Sequence, residues 1–205
     1  MPEERLPNVV HRRVRQLGNG LWEMDGWLTD DFPDGAEVET IGDGWIRSWT
    51  VSESQRGLVQ VSFARFRTPG LDNVWFVNVD EPKAEPSATN LVAFVGDELP
   101  AGTIVSRYAF ATMGVHNDRQ AGAVRWHTQT GVVHQVYVAP EWRRLQLATR
   151  LLYTANAFNI ARDWPGHLHG DGRRTELGEF LALASLVPRR FGELKETMPP
   201  MDARD

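Results

Sequence analysis

The sequence predicts an α/β (α+β) fold, a mixed, largely antiparallel sheet carrying one central helix, on three observations. The first half of the chain reads as a series of short strand-like segments. Between Gly131 and Ala161 an apolar strand stops at a proline and leads into a long amphipathic helix. With 205 residues, 41% of them hydrophobic and 24% charged, the chain is large enough to bury one substantial core. A single domain over 1–205 is expected, with 1–85 as a candidate added β-rich subdomain.

Leu21 to Leu28 places apolar residues close to alternation, and Trp45 to Val51 continues with aromatics. Leu58 to Phe66 alternates well, with Val59, Val61 and Phe63 as its inward set, until Thr68-Pro69-Gly70 breaks the pattern. Val74 to Val79 is the next strand, and Asp80 to Thr89, holding Pro82 and Pro86, reads as an exposed loop. Leu91 to Val95 and Thr103 to Ala111 suggest a hairpin about Gly96-Asp97. Ala123 to His127 then leads through Thr130-Gly131 into the next strand. Trp22, Trp27, Trp45, Trp49, Trp75 and Trp126 lie mostly in these segments, where aromatics ordinarily pack as core.

The strand GVVHQVYV is rich in β-branched valines, and Pro140 both ends it and suits the first turn of a helix. The helix is read over 141–162, with Leu145, Ala148, Leu151, Leu152, Ala155 and Phe158 at three-and-four spacing. Its first turn has unpaired N–H groups and the positive end of the macrodipole, with Trp142 beside them and Arg143 and Arg144 adding two formal charges. A phosphate suits such a place.

VYVAPEW, Arg143-Arg144-Leu145-Gln146-Leu147-Ala148 and TRLLYTA together resemble motif A of the GNAT superfamily of N-acetyltransferases. The family pattern is Arg or Gln, two variable residues, Gly, one variable residue, then Gly or Ala; Arg143 and Ala148 match it, and Gln146 stands where the family has glycine. The resemblance implies acetyl-CoA as cofactor. It implies that the backbone of Val136 and Val138 pairs with the pantetheine arm as an added strand. Arg143, Arg144, Gln146, Leu147, Ala148 and Thr149 would surround the pyrophosphate. Arg174 to Gly178 is loosely similar to C-terminal segments of actinobacterial and phage members.

Histidine titrates near neutrality and is the natural candidate for moving a proton. His134 lies on the motif strand, on the face of Val136 if the strand is regular, and His167 and His169 follow the helix with a period of two. These three are the catalytic candidates. His167, His169 and Asp171 also have the chemistry of a zinc or iron site, although a polar loop describes them equally well and no metal is assigned. Thr175 reads as the cap of a helix that includes Glu179. The family commonly protonates its leaving thiolate from a late tyrosine, and no tyrosine follows Tyr153.

Having no cysteine, the chain forms no disulfide, thiolate metal site or cysteine nucleophile. A net charge of −5 gives no global attraction to nucleic acid or to an anionic membrane. MPEERLPNVVHRRVRQ lacks the apolar segment of a signal peptide, so a cytoplasmic location is expected. The function expected is acyl-CoA-dependent transfer of an acetyl group to an amine, borne on a small molecule or a macromolecule. Two alternatives remain: a phage-type nucleobase-modifying enzyme of the same fold, for which nucleic acid is an unfavoured partner, and a non-catalytic GNAT-like binding protein. The oligomeric state is not legible.

Overall fold

The computed structural model describes residues 7–18, 20–64, 71–183 and 188–198. Its main feature is a nine-stranded sheet in the order β1-β2-β3-β4-β7-β5-β6-β8-β9. The strands are β1 (Asn8–Gln16), β2 (Trp22–Thr29), β3 (Ile46–Glu53), β4 (Val59–Phe63), β5 (Val74–Glu81), β6 (Ala88–Val95), β7 (Thr103–Ser106), β8 (Gly122–His127) and β9 (Val133–Val138). Every neighbouring pair is antiparallel except β5 with β7. Three helices accompany it: α1 (Arg107–Ala111), α2 (Leu147–Ala161) and α3 (Glu176–Leu183). A small parallel pair, β10 (Arg173–Arg174) and β11 (Glu196–Thr197), lies apart from the sheet. Among the described residues no helix is long and apolar enough to cross a membrane.

The alternation read in the first half places the core. Met24, Val51 and Val61 lie in register across β2, β3 and β4, and all three are buried. From Val59, two residues before Val61 on β4, a parallel row runs through Ile104, Phe76, Ala93, Gly122 and Val138 of β7, β5, β6, β8 and β9. Helix α2 covers this face with Leu147, Leu151, Ala155 and Phe158. Gly122 is what lets it come close, because a Cβ there would meet Leu151 Cδ1 at 3.1 Å and the Tyr137 carbonyl oxygen at 2.7 Å. On the opposite face Trp75 stacks on Phe94 at 4.8 Å, and Phe110 of α1 lies 4.9 Å from Phe94. Cover on both faces explains why Val74, Trp75, Phe76 and Val77 form an unbroken apolar run.

Several expectations are corrected. β1 is a strand that the alternation does not reveal, because its arginines interrupt the apolar pattern; they are taken up by Asp25, Glu23 and Glu37. Thr103 to Ala111 is a strand only to Ser106, whose hydroxyl accepts from the Ala109 N–H and opens α1. The hairpin about Gly96-Asp97 does not form, since β6 pairs with β5 and β8 while β7 lies between β4 and β5. The loop after β5 is shorter than the prolines suggest, as Ala88 and Thr89 already belong to β6 and are buried. The strand over Leu58 to Phe66 occupies Val59–Phe63; residues 65 and 66 and the Thr68-Pro69-Gly70 break lie outside the described residues.

The largest correction concerns the central helix. It starts at Leu147, not Glu141, because Arg144 and Gln146 have φ of 64° and 62°, values that no right-handed helix accommodates. Pro140 to Trp142 forms a separate 3₁₀ turn, so Trp142 precedes α2 and is not in its first turn. α3 starts where the sequence placed it, with Thr175 Oγ1 accepting from the Gly178 N–H at 3.1 Å.

Candidate active site

β9 is the last strand of the sheet, and only part of its outer edge is used. Ala139 donates to the Ala121 carbonyl, so the peptide groups of Gln135 and Tyr137 face β8 and those of Val136 and Val138 face outward. The chain returning from α2 touches β9 through one parallel bridge, Val132 with His169. There Val133 donates to the His169 carbonyl at 2.8 Å and His169 donates to Gly131 at 3.0 Å. Beyond the bridge the returning chain leaves to pair Arg173 and Arg174 with β11. The result is a wedge, closed at the start of β9 and, among the described residues, without a further strand along Val136 and Val138.

The start of α2 stands at the open end of this wedge. Gln146, exposed and left-handed at φ 62° and ψ 17°, precedes the helix and makes no side-chain cap. The first helical N–H groups, at Leu147, Ala148 and Thr149, have no intrahelical acceptor by geometry. Arg143 Nε donates to the Val138 carbonyl at 3.1 Å, and Arg144 is exposed beside it. Arg150 reaches from the first turn to the Leu71 carbonyl at 2.8 Å, and burial draws its pKa down. The glycine preference of the motif has a physical source here, since a left-handed residue is adopted by glycine without steric cost. Gln146 holds a left-handed conformation with its side chain exposed.

The three candidate histidines do not come together in one cluster. A bulge in β9, between the pairs Arg125 with Gln135 and Trp126 with Val133, inserts His134 as an extra residue. The strand is therefore irregular at that point, and His134 does not share the face of Val136. Val136 packs against the core under α2, whereas His134 is exposed and stacks on His127 with ring centroids 5.7 Å apart. His127 is held below its ordinary pKa by burial first, then by His134 and Arg125, with Asp171 acting in the opposite direction. Sequence reasoning misses His127, because the bulge that brings it to His134 leaves no mark in periodicity.

His169 is exposed, its Nδ1 2.9 Å from the His167 carbonyl, at the closed end of the wedge. His167 turns the other way, with Nε2 3.3 Å from the Gly35 carbonyl and its ring 6.1 Å from that of His11. Asp171 is tied to Arg173 at 2.7 Å. The histidine pair with Asp171 is thus not assembled around a common point, and among the described residues no group of three or more metal-binding side chains is arranged to hold an ion.

A strand with an open outer edge, a left-handed residue and an uncapped helix start form one continuous unit from Val133 to Ala161. The family model for the acetyltransferase (GNAT) family matches residues 62–169, more than half of the chain. The chain belongs to the GNAT acetyltransferase family. The match takes in β5 to β9, α2 and the bridge at His169. β1 to β3, which precede the matched span, join this GNAT sheet through β4. No curated protein and no solved structure matches the chain.

Proposed function

We propose that the protein is an acyl-CoA-dependent N-acetyltransferase that transfers an acetyl group to an amine. The observation that carries this reading is the wedge: outward peptide groups at Val136 and Val138, leading to the uncapped first turn of α2. An extended chain of amides pairs with such an edge as an added strand, and a diphosphate suits the helix start with Arg144 beside it.

Acetyl-CoA supplies an acyl carbon activated as a thioester. An acyl group held along this edge would have its carbonyl near the bulge at His134, where the ladder to β8 is interrupted and a backbone N–H could polarise the oxygen. A neutral amine attacks that carbon, the C–N bond forms, the C–S bond breaks and the thiolate departs. His134 takes the proton lost by the amine, and His127, stacked against it and kept neutral, fixes its ring. The thiolate needs no dedicated acid, since a thiol ordinarily ionises at a pKa of ~8.5 and is a good leaving group near neutrality. This agrees with the absence of tyrosine after Tyr153.

A second reading, a non-catalytic binding protein, is favoured by the exposed Gln146 side chain at the helix mouth and by Arg143 resting on Val138. Calorimetry with CoA separates the two. Saturable binding supports the transferase, and neither heat nor a thermal shift at millimolar CoA leaves the binding protein ahead. A screen of amines with acetyl-CoA, read by thiol release, then tests the chemistry.

A further inference from the structure

Arg143 closes the 3₁₀ turn that follows β9. Its N–H donates to the Pro140 carbonyl at 3.3 Å, and its backbone is extended at φ −68° and ψ 152°. The main chain is unstrained there, and the left-handed residues come after it, at Arg144 and Gln146. From this position the side chain turns back along β9, where Nε donates to the Val138 carbonyl at 3.1 Å.

That carbonyl has a second claimant. Val138 lies opposite Gly122 with its peptide groups turned away from β8, and the bond from the Ala139 N–H to the Ala121 carbonyl fixes this orientation. A chain of amides laid along β9 as an added strand needs the Val138 carbonyl as an acceptor. A guanidinium seated on the oxygen fills the space beside the edge through which that chain must run, whichever lone pair it uses.

The contact is open to exchange. The Val138 carbonyl is neutral, whereas a diphosphate is charged, and a guanidinium bonds charged oxygens more strongly than neutral ones. CoA carries its diphosphate beyond the pantetheine arm, and the acyl-CoA reading seats it at the uncapped start of α2, just after Arg143 in the chain. With the main chain of Arg143 held by the turn, moving the guanidinium from Val138 to that anion takes a side-chain rotation only.

We propose that Arg143 is a specificity-determining latch on the acyl-CoA site: it blocks the Val138 carbonyl in the free protein and releases it when a diphosphate at the start of α2 takes the guanidinium. Resting on the acyl-CoA reading, the latch makes the site discriminate. A thioester on a pantetheine arm without a diphosphate meets a closed edge, and one carried by CoA opens it.

The test is calorimetry on the full chain with two ligands, CoA and pantetheine, which share the arm and differ in the nucleotide and its diphosphate. The natural protein is compared with Arg143→Ala and with Arg143→Met, which keeps an aliphatic stem and lacks the donor. CoA is expected to bind the natural protein and to change by less than about threefold in either variant, because the freed carbonyl offsets the lost charge. Pantetheine is expected to bind both variants about tenfold more tightly than the natural protein. A gain is diagnostic, since removing a contact that merely shaped the loop would weaken both ligands. CoA binding to the natural protein, with pantetheine bound no more tightly by Arg143→Met, overturns the latch alone. No CoA binding by the natural protein overturns the acyl-CoA reading and the latch with it.

Discussion

Arg143 donates from Nε to the main-chain carbonyl of Val138 at 3.1 Å, which places its guanidinium on the very edge of β9 that an incoming chain of amides needs. Arg144, one residue on, is exposed with φ of 64°. Two arginines that look equivalent in the sequence are therefore unequal. Arg144→Ala is expected to weaken CoA about tenfold, the loss of roughly 1.4 kcal/mol. Arg143→Ala removes a nearby charge but releases the Val138 carbonyl, and its effect should be the smaller. Calorimetry on the two single variants decides it, and the opposite ranking would remove the role assigned to the edge contact.

Gln146 sits at φ 62° with its side chain exposed. Left-handed backbone costs a non-glycine residue roughly 1 kcal/mol, and nothing in a side-chain cap offsets it. Gln146→Gly is expected to raise unfolding stability by about that amount, less the extra entropy of glycine in the unfolded chain. It also clears the helix mouth, so CoA should bind more tightly. Urea unfolding and a CoA titration on the same variant check both parts; a less stable Gln146→Gly protein contradicts the conformational argument.

How much of this was legible in the sequence depends on the range of the interaction. The alternation of Val59, Val61 and Phe63 and the cap at Thr175 are local, and the structure has both. The central helix was legible from its apolar spacing but misplaced at its start, because a spacing of three and four is indifferent to the two left-handed residues that delay it. Sequence also made α2 amphipathic, whereas Asn156 and Asn159 are buried with Ala155 and Phe158. They are buried because the chain from 163 to 169 folds over the helix, an arrangement that periodicity within the helix does not encode. The partners of His134 and His167 were illegible for the same reason: a one-residue bulge supplies the first and β1 supplies the second.

Trp126 and Asn159 show what holds that covering segment down. Trp126 Nε1 donates to Asn159 Oδ1 at 2.9 Å, and Asn159 Nδ2 donates onward to the Gly166 carbonyl at 3.0 Å. Both side chains are fully buried. Trp126→Phe leaves the Asn159 oxygen without its donor and adds a void, so a loss of roughly 2–4 kcal/mol is expected. Hydrogen exchange of the 163–169 segment should rise with it. A loss under about 0.5 kcal/mol is what an inessential bond gives.

His134 is the residue assigned to take the proton from the amine. Replacing it with alanine is expected to lower kcat by about 10²-fold with little change in KM for acetyl-CoA. His127→Phe keeps a ring against His134 but removes the imidazole, and a smaller fall is expected. Exposed His169, bonded to β9 through its backbone, should tolerate alanine with both constants nearly unchanged. Steady-state rates on an identified amine check the order, and an unaffected His134→Ala enzyme removes that histidine from the chemistry.

The buried pair His11 and His167 sets an acid limit on stability. The fold lowers His11 from 6.5 to about 4, chiefly by burial, then by His167 and Arg13; His167 is lowered by burial and Arg190, against the Gly35 carbonyl and Asp34. Between those pH values the unfolded chain binds more protons than the folded one, so stability rises with pH there. The contribution is complete above about 6.5 and is lost as the pH falls from there toward 4. For His11 it amounts to roughly 3 kcal/mol, since a tenfold change in proton affinity is worth about 1.4 kcal/mol. The carboxylates that the fold holds low, Glu81 and Asp171 among them, lose their contribution at lower pH, so a window of about 5 to 6.5 reports mainly on histidine. Urea midpoints should fall steadily through that window in the natural protein and more shallowly in His11→Leu, where one titrating ring is gone. A flat profile in the natural protein would show that neither ring is held neutral by the fold.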